Sequence, residues 1–168
     1  MPAATAYRYL IALGSNVRHV RHGSPRRVLA AALQRLQAEG VEVLASATPV
    51  ETAPVGPSIR RYANSAAVIE TDLDPPALLA LLKCIERDFG RRSGGQRWRA
   101  RVLDIDIVLW SGGCFGASDL VVPHPLFRER SFVLAPAVRI APDWRDPVTG
   151  LSISQLHARL THTRTLPR

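Results

Sequence analysis

The chain has 168 residues, of which 46% are hydrophobic, so length and composition predict one domain over residues 1–168 and exclude a disordered chain. The net charge is +8, and all but one of the 22 lysine and arginine residues are arginine, the exception being Lys83. Arginine can bind phosphate through two parallel hydrogen bonds, but most of its excess is attributed to a GC-rich coding bias. The basic balance still favours a polyanionic partner: a nucleotide, a nucleic acid or an acidic surface.

The first part of the chain predicts two strands separated by a helix. Tyr7–Leu13 is an apolar run that predicts a strand, ended by the GSN that follows. Ser24 and Pro25 are typical of a helix start and Gly40 of a helix end, so a helix is expected between them. Residues 41–48 then alternate in polarity and predict the second strand.

The middle of the chain repeats the pattern after a loop. Residues 51–61 are interrupted by proline and glycine and predict a loop, whereas residues 62–71 predict a third strand. A second helix is expected from its cap at Asp74 to its stop at Gly90. Residues 102–110 predict a further strand.

The last part of the chain is expected to be mainly helical, with short helical segments up to Ile140 and a final helix over Ser152–Leu160. The predicted order is therefore β-α-β-β-α-β followed by a helical tail. This order predicts an α+β fold with a ferredoxin-like split βαβ core, in which an antiparallel-rich sheet is flanked by helices on one face.

Two acids, Asp104 and Asp106, lie inside an otherwise apolar predicted strand. Because side chains alternate between the faces of a strand, both acids and Val108 are expected on one face. The apolar side chains expected on the other face are Leu103, Ile105, Ile107 and Leu109. Two carboxylates in this arrangement can bind one Mg²⁺ or bridge two, with waters and substrate phosphates as further ligands. The alternative is an edge strand with a solvated polar face.

The segment before this strand is basic and rich in glycine. Residues 91–101 contain five arginines, the pair Gly94–Gly95 and the large apolar residue Trp98. This composition predicts a mobile segment that closes over a polyphosphate and excludes water. The alternative is a solvated basic loop in which Trp98 only anchors the segment on the core.

Four segments resemble, in the same order, motifs of the 6-hydroxymethyl-7,8-dihydropterin pyrophosphokinase family of folate biosynthesis. They are IALGSN, VETAPVG with RRYANSAAVIET, RWRARVLDIDIVL, and LVVPHPLFRERSFVLAPAVRIAP, and together they cover roughly residues 7–157. That family transfers the pyrophosphoryl group of ATP to the hydroxymethyl oxygen of the pterin, releases AMP and uses two Mg²⁺ ions. The resemblance implies the same activity here, with ATP as co-substrate.

The resemblance also implies roles for individual residues. Asp104 and Asp106 match the metal-binding acids, and Arg91 and Arg101 match arginines that act on the phosphates; all four are expected to be catalytic. The positions that match pterin contacts are Thr52, Pro54, Val55, Tyr62, Asn64, Trp98, Asp104 and Phe132. The positions that match ATP contacts are Glu86, Trp98, Arg101, His124 and Arg130.

Three features depart from the family pattern. Arg99-Ala100 stands where many relatives have Gly-Pro, Ser93 where some have a basic residue, and Asp119 where some have arginine. They leave open a paralogue that acts on a related pterin. From the residues alone, a basic nucleic-acid-binding domain with a ferredoxin-like sheet is another interpretation, although no clustered aromatic pair suited to base stacking is present. A Mg²⁺-dependent nuclease is a third.

The two cysteines, Cys84 and Cys114, are far apart and suggest neither a disulfide framework nor a zinc site. The N-terminus lacks the pattern of a signal peptide, and no apolar run approaches the ~20 residues of a membrane span. The sequence therefore predicts a cytoplasmic monomer whose partners are ATP and the pterin, with no nucleic acid and no membrane.

Overall fold

The computed structural model describes residues 6–52, 61–90 and 102–162. Its main sheet contains the strands β1 Tyr7–Ser15, β2 Glu42–Ser46, β3 Val50–Thr52, β4 Tyr62–Thr71 and β5 Asp104–Trp110. A small hairpin consists of β6 Phe115–Gly116 and β7 Val121–Val122. The helices are α1 Pro25–Ala38, α2 Pro75–Asp88, α3 Ser131–Ile140 and α4 Ile153–Thr161, and a 3₁₀ turn at Phe127–Glu129 precedes α3.

The main sheet is antiparallel throughout, in the order β2-β4-β1-β5, and β3 pairs with the start of β4. Strand β4 therefore lies between β1 and β2, the two strands that flank α1 in the chain. This is the arrangement of a split βαβ unit, and β5 adds to the other side of β1. The predicted ferredoxin-like α+β fold is confirmed.

Helices cover both faces of the sheet, so the expectation that they lie on one face is wrong for the whole chain. Helices α1 and α2 enclose a core that includes Ile11 and Leu13, whereas α3 and α4 enclose a second core that includes Leu10 and Ala12. Strand β1 is apolar on both sides, and each apolar face of a sheet needs a layer to cover it. The helical tail supplies the second layer.

A β-bulge interrupts the alternation of side chains along β5. Leu10 pairs with Leu109 and Ile11 with Ile107, so Val108 is an extra residue opposite this step of β1. The alternation reverses beyond the bulge, and Leu109 lies in the second core beside Val108. The prediction that Leu109 shares a face with Ile107 is therefore wrong.

Two strands extend beyond the segments predicted from the sequence. Strand β1 continues through Gly14 and Ser15, because the long strand β4 offers pairing partners as far as Ala63. Strand β3 begins just before the segment predicted to be a loop and ends inside it, where Thr52 pairs with Tyr62. Both extensions contribute residues to the end of the sheet where Asp104 lies.

The helix starts follow the predictions in part. Asp74 caps α2 by accepting a hydrogen bond from the N–H of Ala77 at 3.0 Å, as predicted. Ser24 precedes α1, but its side chain makes no capping hydrogen bond. None of the helices in the described ranges combines the length and apolar character needed to cross a membrane.

Candidate active site

The two acids of β5 lie on the face of the sheet that α3 and α4 cover. They alternate with Ile105 and Ile107, which point into the core under α1 and α2. The prediction that Asp104 and Asp106 share one face is thus confirmed. The side chain of Asp106 is 41% exposed, so its carboxylate is open to a ligand from solvent.

Two basic side chains from the segment that follows β5 approach Asp106. The Nε2 atom of His124 and the Nη1 atom of Arg130 each lie 3.9 Å from its Oδ2 atom. The backbone N–H of His124 donates to the carbonyl of Val108 at 3.0 Å, which fixes this segment beside the bulge of β5. At 3.9 Å neither contact is a direct hydrogen bond.

The imidazole of His124 is held as a neutral hydrogen-bond donor. Its Nδ1 atom accepts the backbone N–H of Leu126 at 3.1 Å, so the neutral ring carries its proton on Nε2, the atom that faces Asp106. Burial lowers the pKa of His124 and outweighs the opposing effect of Asp106, and Arg130 lowers it further. A neutral N–H donor at this position suits an anionic oxygen.

Two aromatic side chains lie on the same side of the sheet as the acids. Phe132 is in the first turn of α3 and packs, partly buried, against the second core. The guanidinium of Arg130 lies 5.6 Å from the centre of its ring. Tyr62 begins β4 and is half-buried, two residues before Asn64 and therefore on the same face.

Asn64, Gly14 and Asp104 form a row across three neighbouring strands. Gly14 of β1 pairs with Asn64 of β4 on one side and with Asp104 of β5 on the other. Residues directly opposite each other in a sheet share a face, so Asn64 and Asp104 flank Gly14 on one face, with their backbones two strand spacings, about 10 Å, apart. No role was predicted for Gly14, because it belongs to the GSN segment that was expected to end the first strand.

Glu86 lies behind the acid pair rather than beside it. Its side chain is on α2, only 3% of the residue is exposed, and its Oε1 atom accepts the backbone N–H of Ile105 at 2.8 Å. Ile105 is the residue between Asp104 and Asp106. The carboxylate of Glu86 therefore holds the backbone from which both acids project, and its contact with ATP stays a prediction.

Several predicted site residues lie outside the described ranges, namely Pro54, Val55, Arg91, Trp98 and Arg101. Thr52 lies inside them, at the end of β3, where its backbone pairs with that of Tyr62. The structure thus brings Asp104, Asp106, His124 and Arg130 together and places Asn64 across the row from Asp104.

The donor set fits a magnesium ion better than a transition metal. Within the described ranges, no group of three or more histidine, cysteine or acidic side chains is arranged to hold a metal. Asp104 and Asp106 supply oxygen ligands alone, and Mg²⁺ is commonly bound by one or two carboxylates, with waters and substrate phosphates completing its coordination.

Comparison with known proteins places this arrangement in a family. The sequence profile of 7,8-dihydro-6-hydroxymethylpterin-pyrophosphokinase matches residues 10–142. The 2-amino-4-hydroxy-6-hydroxymethyldihydropteridine pyrophosphokinase of Methylorubrum extorquens is 38% identical over 138 residues, which are 81% of this chain and 84% of that protein. The Synechocystis protein of the same name is 35% identical over 76% of this chain and 65% of its own length.

The fold comparison agrees. A crystal structure of Plasmodium falciparum HPPK-DHPS superposes with a TM-score of 0.70 over 92% of this chain and 44% of that chain. The sequence identity is 14%, so this likeness concerns the fold alone. The matched sequence segment contains every strand of the main sheet from Leu10 onward, together with the acid pair and its basic neighbours. The chain belongs to the 7,8-dihydro-6-hydroxymethylpterin-pyrophosphokinase family.

Proposed function

We propose that this protein transfers the pyrophosphoryl group of ATP to the hydroxymethyl group of 6-hydroxymethyl-7,8-dihydropterin. One observation carries the proposal: Nε2 of His124 and Nη1 of Arg130 each lie 3.9 Å from the carboxylate of Asp106. The chain that holds this arrangement belongs to the family. Acidic groups for a cation and basic groups for phosphates are the two requirements of such a transfer. Residues 1–168 act in this proposal as a single pyrophosphokinase domain, cytoplasmic and monomeric.

The reaction is a displacement at the β-phosphorus of ATP. The hydroxymethyl oxygen forms a bond to that phosphorus, the bridge to the α-phosphate breaks, and AMP leaves with the bridging oxygen. The hydroxyl proton is released to solvent, and the product is the pterin diphosphate. Such transfers depend mainly on alignment and on neutralisation of charge, so the residues of this chain act chiefly by positioning.

Asp104 and Asp106 would hold two Mg²⁺ ions on the acid-bearing face of β5. When bound, these ions neutralise the phosphates, align them and lower the pKa of the attacking hydroxyl group. His124 donates from Nε2 and Arg130 from its guanidinium to phosphate oxygens beside the acids. Arg91 and Arg101 complete the phosphate contacts in this proposal, and Glu86 and Trp98 contribute on the nucleotide side.

The pterin would bind along the row between Asn64 and Asp104. The amide of Asn64 offers both a donor and an acceptor to the ring edge, which carries the same mixture. Tyr62 and Phe132 supply flat surfaces for stacking, and both are half-buried on the correct side of the sheet. Backbone groups near Thr52, Pro54 and Val55 and the side chain of Trp98 are the remaining proposed contacts.

The test is an assay of AMP release with ATP, Mg²⁺ and 6-hydroxymethyl-7,8-dihydropterin. AMP that forms only when both the pterin and the metal are present supports the proposal. AMP formation with a different pterin alone would indicate a paralogue of altered specificity. A folded protein that binds nucleic acid tightly and releases no AMP would instead support a nucleic-acid-binding domain.

A further inference from the structure

Gly14 stands at the centre of the row between Asn64 and Asp104, and its backbone conformation does not require a glycine. Its φ is not in the positive region, unlike that of Gly23 or Gly40. A glycine inside a strand weakens it, because the residue loses much conformational freedom and offers no side chain for packing. The reason for a glycine at this position must therefore be the space around it.

That space is limited by Asn64. A Cβ atom added to Gly14 would lie 3.2 Å from the Oδ1 atom of Asn64, so one of the two would have to give by a few tenths of an ångström. Asn64 is only 6% exposed, and a buried amide that moves must keep its hydrogen-bond partners. Gly14 itself is a central-strand residue, paired on both sides, and has little freedom to move. The amide would be displaced.

We propose that Gly14 is a positioning residue for the pterin ring. Its missing side chain lets the amide of Asn64 lie against the strand, in the position from which it would bind the ring. The backbones of Asn64 and Asp104 lie two strand spacings apart, roughly 10 Å, and the ring would lie in the gap over Gly14 between them. This inference rests on the proposed function, because it assigns the ring to this gap.

The test compares Gly14→Ala with the wild-type protein in pterin binding and in turnover. Binding is measured by titration of 6-hydroxymethylpterin in the presence of Mg²⁺ and a non-hydrolysable ATP analogue. We expect a dissociation constant for the pterin about tenfold higher, because small misplacements of a binding group are costly. The KM for the pterin should rise similarly, while the KM for ATP and the kcat stay near their wild-type values.

The matched control is Gly116→Ala. Gly116 is also a strand glycine without positive φ, and an added Cβ there meets nothing within 4 Å. Its replacement should leave both constants unchanged. A second arm repeats Gly14→Ala in an Asn64→Ala background, where the clashing oxygen is absent and the extra methyl group should cause no further loss of affinity.

The outcomes separate the inference from the function on which it rests. If Gly14→Ala binds the pterin with wild-type affinity, the inference is overturned and the proposed function is not. The same holds if Gly14→Ala causes as large a loss of affinity in the Asn64→Ala background as in the wild-type protein. A wild-type protein that binds no pterin overturns the proposed function and the inference together. Should Gly14→Ala not fold, folding of the double variant supports the contact with Asn64, and failure of both variants to fold overturns the positioning role.

Discussion

The carboxylate of Asp106 lies beside two basic side chains from the segment that follows β5. Its carboxylate is 41% exposed yet has His124 and Arg130 at 3.9 Å. An exposed ion pair contributes little to stability, since solvent screens both charges. The arrangement is therefore better explained by the ligand that it can bind than by stability of the fold.

Replacement of Asp106 by asparagine should abolish most of the activity and leave the fold intact. The amide keeps the size of the side chain but removes the charge that a divalent cation requires, so we expect kcat to fall by about a hundredfold or more. Steady-state AMP release at saturating ATP and pterin measures the loss, and circular dichroism checks the fold.

Asp72→Asn is the matched control for this substitution. Asp72 is an exposed acid just after β4, so its replacement should alter neither kcat nor stability. Wild-type turnover in Asp106→Asn would contradict the two-metal proposal, whereas an equal loss in both variants would point to a general effect of removing negative charge.

Strand β5 carries two acids at the edge of the main sheet, and a helix satisfies part of its outer backbone. Only β1 pairs with it among the described strands, so its outer N–H groups need partners of another kind. Glu86 of α2 supplies one by accepting the N–H of Ile105 at 2.8 Å. Helix α2 thus provides a hydrogen-bond acceptor where a neighbouring strand would otherwise provide one.

Glu86→Ala should destabilise the fold more than Glu86→Gln does. The alanine variant leaves the buried N–H of Ile105 without this acceptor, a loss of about 1–3 kcal/mol, whereas glutamine retains an oxygen at the same reach. The free energy of unfolding in urea measures both effects. Lys83→Ala, an exposed position on the same helix, serves as the control, and equal stability of all three variants would refute this role of Glu86.

The placement of Asp104 and Asp106 on one face could be predicted because a local pattern determines it. The alternation of Asp104 and Asp106 with isoleucines is visible in the sequence, and so is the cap at Asp74. The bulge at Val108 could not be predicted, since it arises from the pairing of β5 with β1 rather than from either strand alone. The close approach of Gly14 to Asn64 likewise joins residues far apart in the chain.

At the scale of the whole molecule, a buried ion pair joins the C-terminal segment that contains Asp146 to the turn that precedes α3. Asp146 is fully buried and accepts two hydrogen bonds from the guanidinium of Arg128, at 2.6 and 2.8 Å. It accepts two more from the hydroxyl group of Thr149 and the N–H of Val148. Arg128 lies two residues before Arg130, so this pair holds the segment that presents Arg130 to Asp106.

Acid should weaken the fold through Asp146. Burial alone would raise its pKa, but the hydrogen bonds from Arg128, Thr149 and Val148 outweigh burial and lower the pKa from 3.8 to about 2. A group whose pKa is lower in the folded state than in the unfolded state stabilises the protein at pH values above its unfolded-state pKa. That contribution, about 2 kcal/mol, is lost as the pH falls from 3.8 through about 2.

The measurement is the unfolding free energy of wild type and Asp146→Asn as a function of pH. We expect the difference between them to be largest near neutral pH and to shrink as the pH falls through the interval between 3.8 and about 2. Asp143→Asn, an exposed neighbour, should show no such difference. A difference that does not change with pH would exclude titration of Asp146 as its source.

The row from Asn64 through Gly14 to Asp104 also bears on how the enzyme is made. Its three members come from the first, fourth and fifth strands of the main sheet, so no short contiguous piece of the chain contains them all. Contacts between such distant segments form late and slowly in folding. Catalytic competence should therefore return only with the completed sheet, after the local helices, and the recovery of AMP release during refolding would time that last step.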